Sequence, residues 1–232
     1  MSMRINNIFS RISGSYDAMN HILSLGVDIR WRNSAVSEIS SKLNGIKEAR
    51  VLDIATGTGD LALAILRGLT GKGTDARVVG MDFNKDMLDI ARKKAKKSHA
   101  KIRFEYGDAL HTRYPNEHFD MLASGFAIRN FDDLDRFSKE SYRILKRKGG
   151  FVFVDMAMPD AKLPGYFFYA YSVFMRFAGF FVDNESYKWL VHSIKVFDKK
   201  ELERKLRSAG FINVHYRELW PGMAYIITGE KR

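Results

Sequence analysis

The chain has 232 residues, 46% hydrophobic and 28% charged, enough to bury the core of one globular domain. Its 38 Lys and Arg against 27 Asp and Glu leave a net charge of +11, which favours anionic partners or serves solubility alone. The absence of cysteine excludes disulfides and thiolate metal sites. With no apolar signal core in Met1–Asn20 and no run of about 18 apolar residues, a cytoplasmic protein without a spanning helix is expected.

In chain order, residues 1–46 read as an amphipathic helical cap, with Ile5, Ile8, Phe9 and Ile12 at helical spacing. Ser13-Gly14-Ser15 breaks that pattern, and a second helix is predicted from Tyr16 or Asp17. Strands and helices then alternate through residues 50–157. Strands are predicted at Arg50–Ala55, Arg77–Asp82, Ile102–Tyr106, Phe119–Gly125 and Phe151–Met156. Helices are predicted at Gly59–Leu69, Lys85–Lys97 and Leu134–Leu145. This rhythm predicts a mostly parallel α/β sheet covered on both faces, with ligands bound beyond the carboxyl ends of its strands.

Residues 158–196 interrupt the alternation with an aromatic stretch that includes Tyr166, Phe167, Phe168, Phe174 and Phe180. Aromatics on nearly every helical face exceed what one buried side can hold, so a substrate-facing or membrane-facing role is predicted beside ordinary core packing. Asp198 and Glu201 suggest a capping box opening a helix that Gly210 stops near Ala209. Strands Phe211–Leu219 and Met223–Thr228, joined by Trp220-Pro221-Gly222, then close the sheet as a hairpin. The whole chain, 1–232, is read as one domain: cap, core 50–157, aromatic lid 158–196, and helix with hairpin 197–232.

Chemistry concentrates in Asp53-Ile54-Ala55-Thr56-Gly57-Thr58-Gly59-Asp60. Taken alone, the glycines fit a dinucleotide turn, which would make the protein an NAD-dependent oxidoreductase. Asp53, at the strand end, would repel a pyrophosphate. S-adenosylmethionine carries an ammonium and a sulfonium and no phosphate, so an acidic strand end suits it. Asp82 ends the second strand 23 residues beyond Gly59, where a carboxylate can accept two ribose hydroxyls. Phe83 beside it can pack on an adenine face or in the core. Asp108-Ala109, after the third strand, offers an acceptor for an exocyclic amine, although Gly-Asp is also an ordinary turn. The candidate cofactor residues are therefore Asp53, Gly57, Thr58, Gly59, Asp82, Phe83, Asp108 and Ala109. Taken together, the three acidic strand ends resemble a class I, Rossmann-like S-adenosylmethionine-dependent methyltransferase, whose seven-stranded sheet carries a similar hairpin.

The resemblance narrows. Tyr16-Asp17-Ala18-Met19-Asn20-His21, followed by Trp31, resembles a signature of the ubiquinone/menaquinone biosynthesis C-methyltransferase family, the demethylmenaquinone methyltransferases. Phe126-Ala127-Ile128-Arg129-Asn130 is similar to its F-G-L-R-N, and Arg143-Ile144-Leu145-Lys146 with Gly149-Gly150 to its R-V-L-K-P-G-G. Tyr187 and Ser193-Ile194 resemble its tyrosine and S-I pair. The chain departs from the pattern at Asp28 (His in the family), at Gly125 (Ser), at Asp155-Met156-Ala157 (Glu-x-Ser) and by one extra residue at Arg147-Lys148.

The resemblance implies methyl transfer from S-adenosylmethionine to a ring carbon of a demethylated, prenylated quinol. Tyr16, Asp17, Asn20, Arg129, Asn130 and Tyr187 are then candidates for the acceptor pocket, with no general base and no metal ligand assigned. The D/N-P-P-aromatic turn of nucleobase-amine methyltransferases is missing after strand four, so amine methylation on DNA is disfavoured, and without a recognised binding motif no nucleic-acid partner is expected. Three further readings stay open: another hydrophobic acceptor (phenol, sterol-like or phospholipid), peripheral attachment to anionic lipid, and a homodimer.

Overall fold

The computed structural model describes residues 10, 24, 26–160 and 184–232, with the side chains of residues 184–187 left out. The predicted helices before Gly26 and most of the aromatic lid therefore lie outside the described residues. The rest forms a seven-stranded sheet in the order β3-β2-β1-β4-β5-β7-β6. Its strands are β1 Glu48–Ile54, β2 Asp75–Asp82, β3 Arg103–Tyr106, β4 Phe119–Gly125, β5 Leu145–Met156, β6 Ile212–Leu219 and β7 Ala224–Glu230. Strands β1 to β5 pair in parallel, and β7 lies antiparallel between β5 and β6, which makes the C-terminal hairpin the sheet's closing edge.

Alternation along each strand divides the core into two layers. Val51, Ala123, Val152, Val154 and Ile226 point to one face, where they meet helices α1 (Val27–Lys42), α2 (Asp60–Thr70) and α3 (Lys85–Lys97). Leu52, Leu122, Phe151, Phe153 and Tyr225 point to the other, where α4 (Leu134–Ile144) and α6 (Lys199–Ser208) supply Phe137, Leu202 and Leu206. The helix α5 (Asn184–Val196) follows the lid segment. In α1, Trp31, Ala35 and Ile39 recur one turn apart with the C-cap Leu43 after them, and all four are buried.

Caps fix where the helices begin. Asn84 Oδ1 accepts the Met87 amide at the start of α3, and Asp133 accepts the Arg136 amide at the start of α4. Asp198 opens α6 as predicted, but through the Lys200 amide rather than the third-residue amide of a capping box.

Most boundaries shift by one or two residues from the sequence reading; the largest difference is at β5, which begins at Leu145 rather than Phe151. The chain leaves α4 at Ile144 and enters β5 at once, because Leu145 is fully buried and pairs with Phe119. The extra residues around Arg147-Lys148 are absorbed as a register shift between Phe119 and Met121, with Lys148 at φ 61°.

Candidate functional site

Loops leaving β1, β2, β3 and β4 at their carboxyl ends enclose a cavity of about 970 Å³, counting its open mouth. This is where a parallel sheet places its ligands: β4 lies beside β1 although β2 and β3 precede it in sequence, so the connections turn to opposite sides there.

The β1 loop forms the floor. Asp53 is fully buried, and its Oδ2 accepts the Thr56 hydroxyl at 2.6 Å. Its Oδ1 has no hydrogen-bond partner among the described residues. Burial pushes the Asp53 carboxyl up to about 7 against the pull of the Thr56 hydroxyl and the Ala62 amide, and the charges of Asp82 and Asp60 push the same way. Gly57 adopts φ 55°, and no atom lies within 4 Å of the place a Cβ would take, so a ligand can approach bare backbone there.

Asp82 does more than the sequence suggested. Its Oδ2 accepts the Gly57 amide at 2.7 Å and its Oδ1 the Asn84 amide at 2.7 Å, so the end of β2 pins the glycine turn. Burial raises its pKa too, opposed by the Asn84, Gly57 and Phe83 amides. Each oxygen keeps a lone pair for a further donor. Phe83 leans on Tyr106, ring centroids 5.5 Å apart. Asp108 closes its own turn by accepting the Leu110 amide at 2.9 Å and also lines the cavity.

The β4 side is apolar. Phe126 holds φ 60°, a strained value for a non-glycine residue, and packs 6.0 Å from Trp31. Phe126, Ala127 and Asn130 line the cavity, and Asn130 Oδ1 is a second buried oxygen without a partner among the described residues. Buried acceptors left in this way call for donors from a ligand.

Of the predicted cofactor residues, Asp53, Gly57, Thr58, Asp82, Phe83, Asp108 and Ala109 come together around this one cavity. Gly59 does not line it. At φ 83° it opens α2, and a Cβ there would stand 3.0 Å from both Ala91 and Phe104, so close packing between helices and sheet explains the glycine. Asn130 lines the cavity, whereas Arg129 sits behind its wall. The Arg129 guanidinium bonds Asp155 Oδ1 at 2.5 Å, the Phe126 carbonyl at 2.6 Å and Ser193 Oγ at 3.3 Å. Asp155, one of the departures from the family pattern, is thus the buried counterion of Arg129. Tyr16, Asp17 and Asn20 lie outside the described residues, as does the Tyr187 side chain. Thr56 and Arg32 were not singled out from sequence; Arg32 reaches the cavity from α1, a contact that no local pattern announces.

Acidic strand ends, a bare glycine turn and unpaired buried acceptors fit a cationic ligand with hydroxyl and amine donors. On this fold they define a Rossmann-like S-adenosylmethionine-dependent methyltransferase. The chain matches the ubiE/COQ5 methyltransferase family over residues 1–231. It is 37% identical over 232 residues to a demethylmenaquinone methyltransferase of Deinococcus radiodurans, covering 98% of this chain and 92% of that protein. A Thermus thermophilus protein of the same name is 35% identical over 230 residues, covering 97% of this chain and 100% of its own. In fold, the chain resembles a solved S-adenosylmethionine-dependent methyltransferase from Aquifex aeolicus, with a TM-score of 0.58 at 17% identity, covering 84% and 88% of the two chains. The chain belongs to the ubiE/COQ5 methyltransferase family, and its cofactor is S-adenosylmethionine. The NAD-dependent oxidoreductase reading of the glycine turn is set aside with that assignment.

Proposed function

We propose that this methyltransferase methylates a ring carbon of a demethylated, prenylated quinol of the demethylmenaquinol type, as a step of menaquinone or ubiquinone biosynthesis. The observation that carries this reading is the 37% identity, over 98% of the chain, to a protein named demethylmenaquinone methyltransferase.

When bound, S-adenosylmethionine supplies a methyl group already activated by its sulfonium. The protein's task is then to hold, align and desolvate. Asp82, which holds Gly57, would take the ribose hydroxyls, and Phe83 and Asp108 would flank the adenine. Asp53 would supply negative field under the amino-acid end. The apolar stretch Phe126–Ala127, with Asn130, forms the wall nearest the acceptor, and Arg129 fixes that wall to β5 and α5. A ring carbon becomes nucleophilic once its hydroquinone oxygen loses a proton, so a base or a positive group near that oxygen is required. The described residues single out none.

The aromatic stretch within residues 158–196 would accept the first isoprene units, and the +11 charge would hold the protein on anionic lipid at the inner membrane face. Flotation with anionic vesicles tests this: binding at low salt that high salt reverses supports it, and no binding at low salt overturns it. None of the described helices is long and apolar enough to cross a membrane. Sedimentation would decide between monomer and homodimer.

Labelled S-adenosylmethionine with a panel of acceptors tests the substrate. Turnover of demethylmenaquinols is expected. Turnover of a phenol, sterol or phospholipid with no quinol accepted would replace this reading.

A further inference from the structure

The cavity has an uneven charge. Among the described residues that line it, Asp53, Asp60, Asp82 and Asp108 are carboxylates, and Arg32 is the single cation. A cationic methyl donor explains the acids. It leaves Arg32 unexplained, because a guanidinium in the same cavity repels an ammonium or a sulfonium.

The surroundings of Arg32 show how it is held. The side chain is 14% exposed. One edge of the guanidinium, through Nη2, is taken by Asp28 one turn earlier on α1, and Asp28 in turn accepts the Ser24 hydroxyl at 2.6 Å. The other terminal nitrogen, Nη1, forms a looser ion pair with Asp60 Oδ2 at 3.8 Å, beyond hydrogen-bond reach. Asp60 has its own cation: Lys94 Nζ lies 2.6 Å from Oδ1 and also donates to Thr58 Oγ1 at 3.0 Å. The helix carrying Arg32 is fixed as well, since Trp31 Nε1 donates to the Trp220 carbonyl at 2.8 Å and the Trp31 ring packs on Phe126. Arg32 is therefore a positioned fork, gripped from behind and presented beside the glycine turn.

S-adenosylmethionine carries one negative group, the carboxylate of its methionine end. Four acids repel that group across the cavity, and one arginine attracts it. Building on the assignment of this cavity to the cofactor, we infer that Arg32 receives the cofactor's carboxylate. Asp28 acts as the positioning residue that turns the guanidinium toward it. The placement sorts the two ends of one amino acid, with the ammonium drawn to the acidic floor and the carboxylate to the wall formed by α1. A planar guanidinium suits that role better than an ammonium because it can offer two parallel donors to one carboxylate.

Calorimetry with two ligands isolates the claim. S-adenosylhomocysteine keeps the carboxylate; its decarboxylated analogue, S-adenosyl-3-thiopropylamine, keeps the adenosine and the ammonium but lacks it. The wild-type protein should prefer S-adenosylhomocysteine. In Arg32→Gln that ligand should weaken about tenfold to a hundredfold, the worth of a charge-assisted hydrogen bond, while the analogue changes less than about threefold. Arg32→Lys, which keeps the charge and loses the fork, should recover part of the preference. Equal weakening of both ligands in both variants would mean that Arg32 only holds α1 in place, and would overturn the inference. If the wild type binds neither ligand, the assignment of the cavity fails and this inference fails with it. If the wild type binds both equally, only the role of Arg32 fails.

Discussion

At the scale of single residues, Asp53 carries the sharpest expectation. A carboxyl raised to about 7 by burial is largely protonated in the ligand-free protein below neutrality. Its folded pKa exceeds its unfolded one, so the stability it contributes is fully present below about pH 4 and is lost as pH rises toward 7. A cationic ligand reverses that preference, because it binds the ionised form. Affinity for S-adenosylhomocysteine should therefore rise about tenfold between pH 6 and pH 8, since a proton must leave before the ligand's cation is satisfied. Calorimetry across that range checks it, and Asp53→Asn should flatten the profile. An unchanged slope in the variant would assign the titration to another group, Asp82 being the next to examine. Asp82→Ala should weaken the same ligand at least about tenfold, since it strands the Gly57 and Asn84 amides as well as removing an acceptor. Binding within a factor of two of wild type would contradict the role given to Asp82.

At the scale of elements, the buried Arg129–Asp155 pair joins the β4 loop, the end of β5 and, through Ser193, α5. Both side chains are at most 4% exposed, so removing one strands a charge in the interior. Arg129→Leu should cost about 3–5 kcal/mol in urea unfolding, and the double variant Arg129→Leu with Asp155→Leu should recover a good part of that. A single variant within 1 kcal/mol of wild type would show that the pair is not the clamp described. Phe153 stacks on Phe151 at 4.7 Å with both rings fully buried, and Phe153→Ala should cost about 3–5 kcal/mol by the same measurement.

Elements also show what the sequence can disclose. Strands, helices and acidic strand ends were legible because each is a local signal: an apolar run, a 3.6-residue period, an acid where the run stops. Asp53, Asp82 and Asp108 converge because parallel strands deliver their carboxyl ends to one edge. Arg129 had a legible place but an illegible direction. The short 3₁₀ turn Ile128–Asn130 carries its side chain away from the cavity and leaves Asn130 on it. Gly59 read as part of a ligand loop, yet its neighbours Ala91 and Phe104 come from elements far along the chain. Arg32 was invisible for the same reason, since only the packing of α1 against the sheet brings it to the glycine turn.

At the scale of the whole molecule, the fold separates two tasks. The sheet and its acidic edge are proposed to hold the methyl donor. Segments added to that sheet, before α1 and between β5 and α5, carry the family signature and the aromatic stretch from which an acceptor pocket is proposed. The reaction proposed for this site is carbon methylation of a quinol. It is tested most directly by incubating the protein with a demethylmenaquinol and S-adenosylmethionine labelled as CD₃, then locating the label by mass spectrometry and NMR. An intact CD₃ group on the ring carbon of the quinol is expected. Label on a quinol oxygen, or an unlabelled quinol beside a labelled phenol or phospholipid, would contradict it.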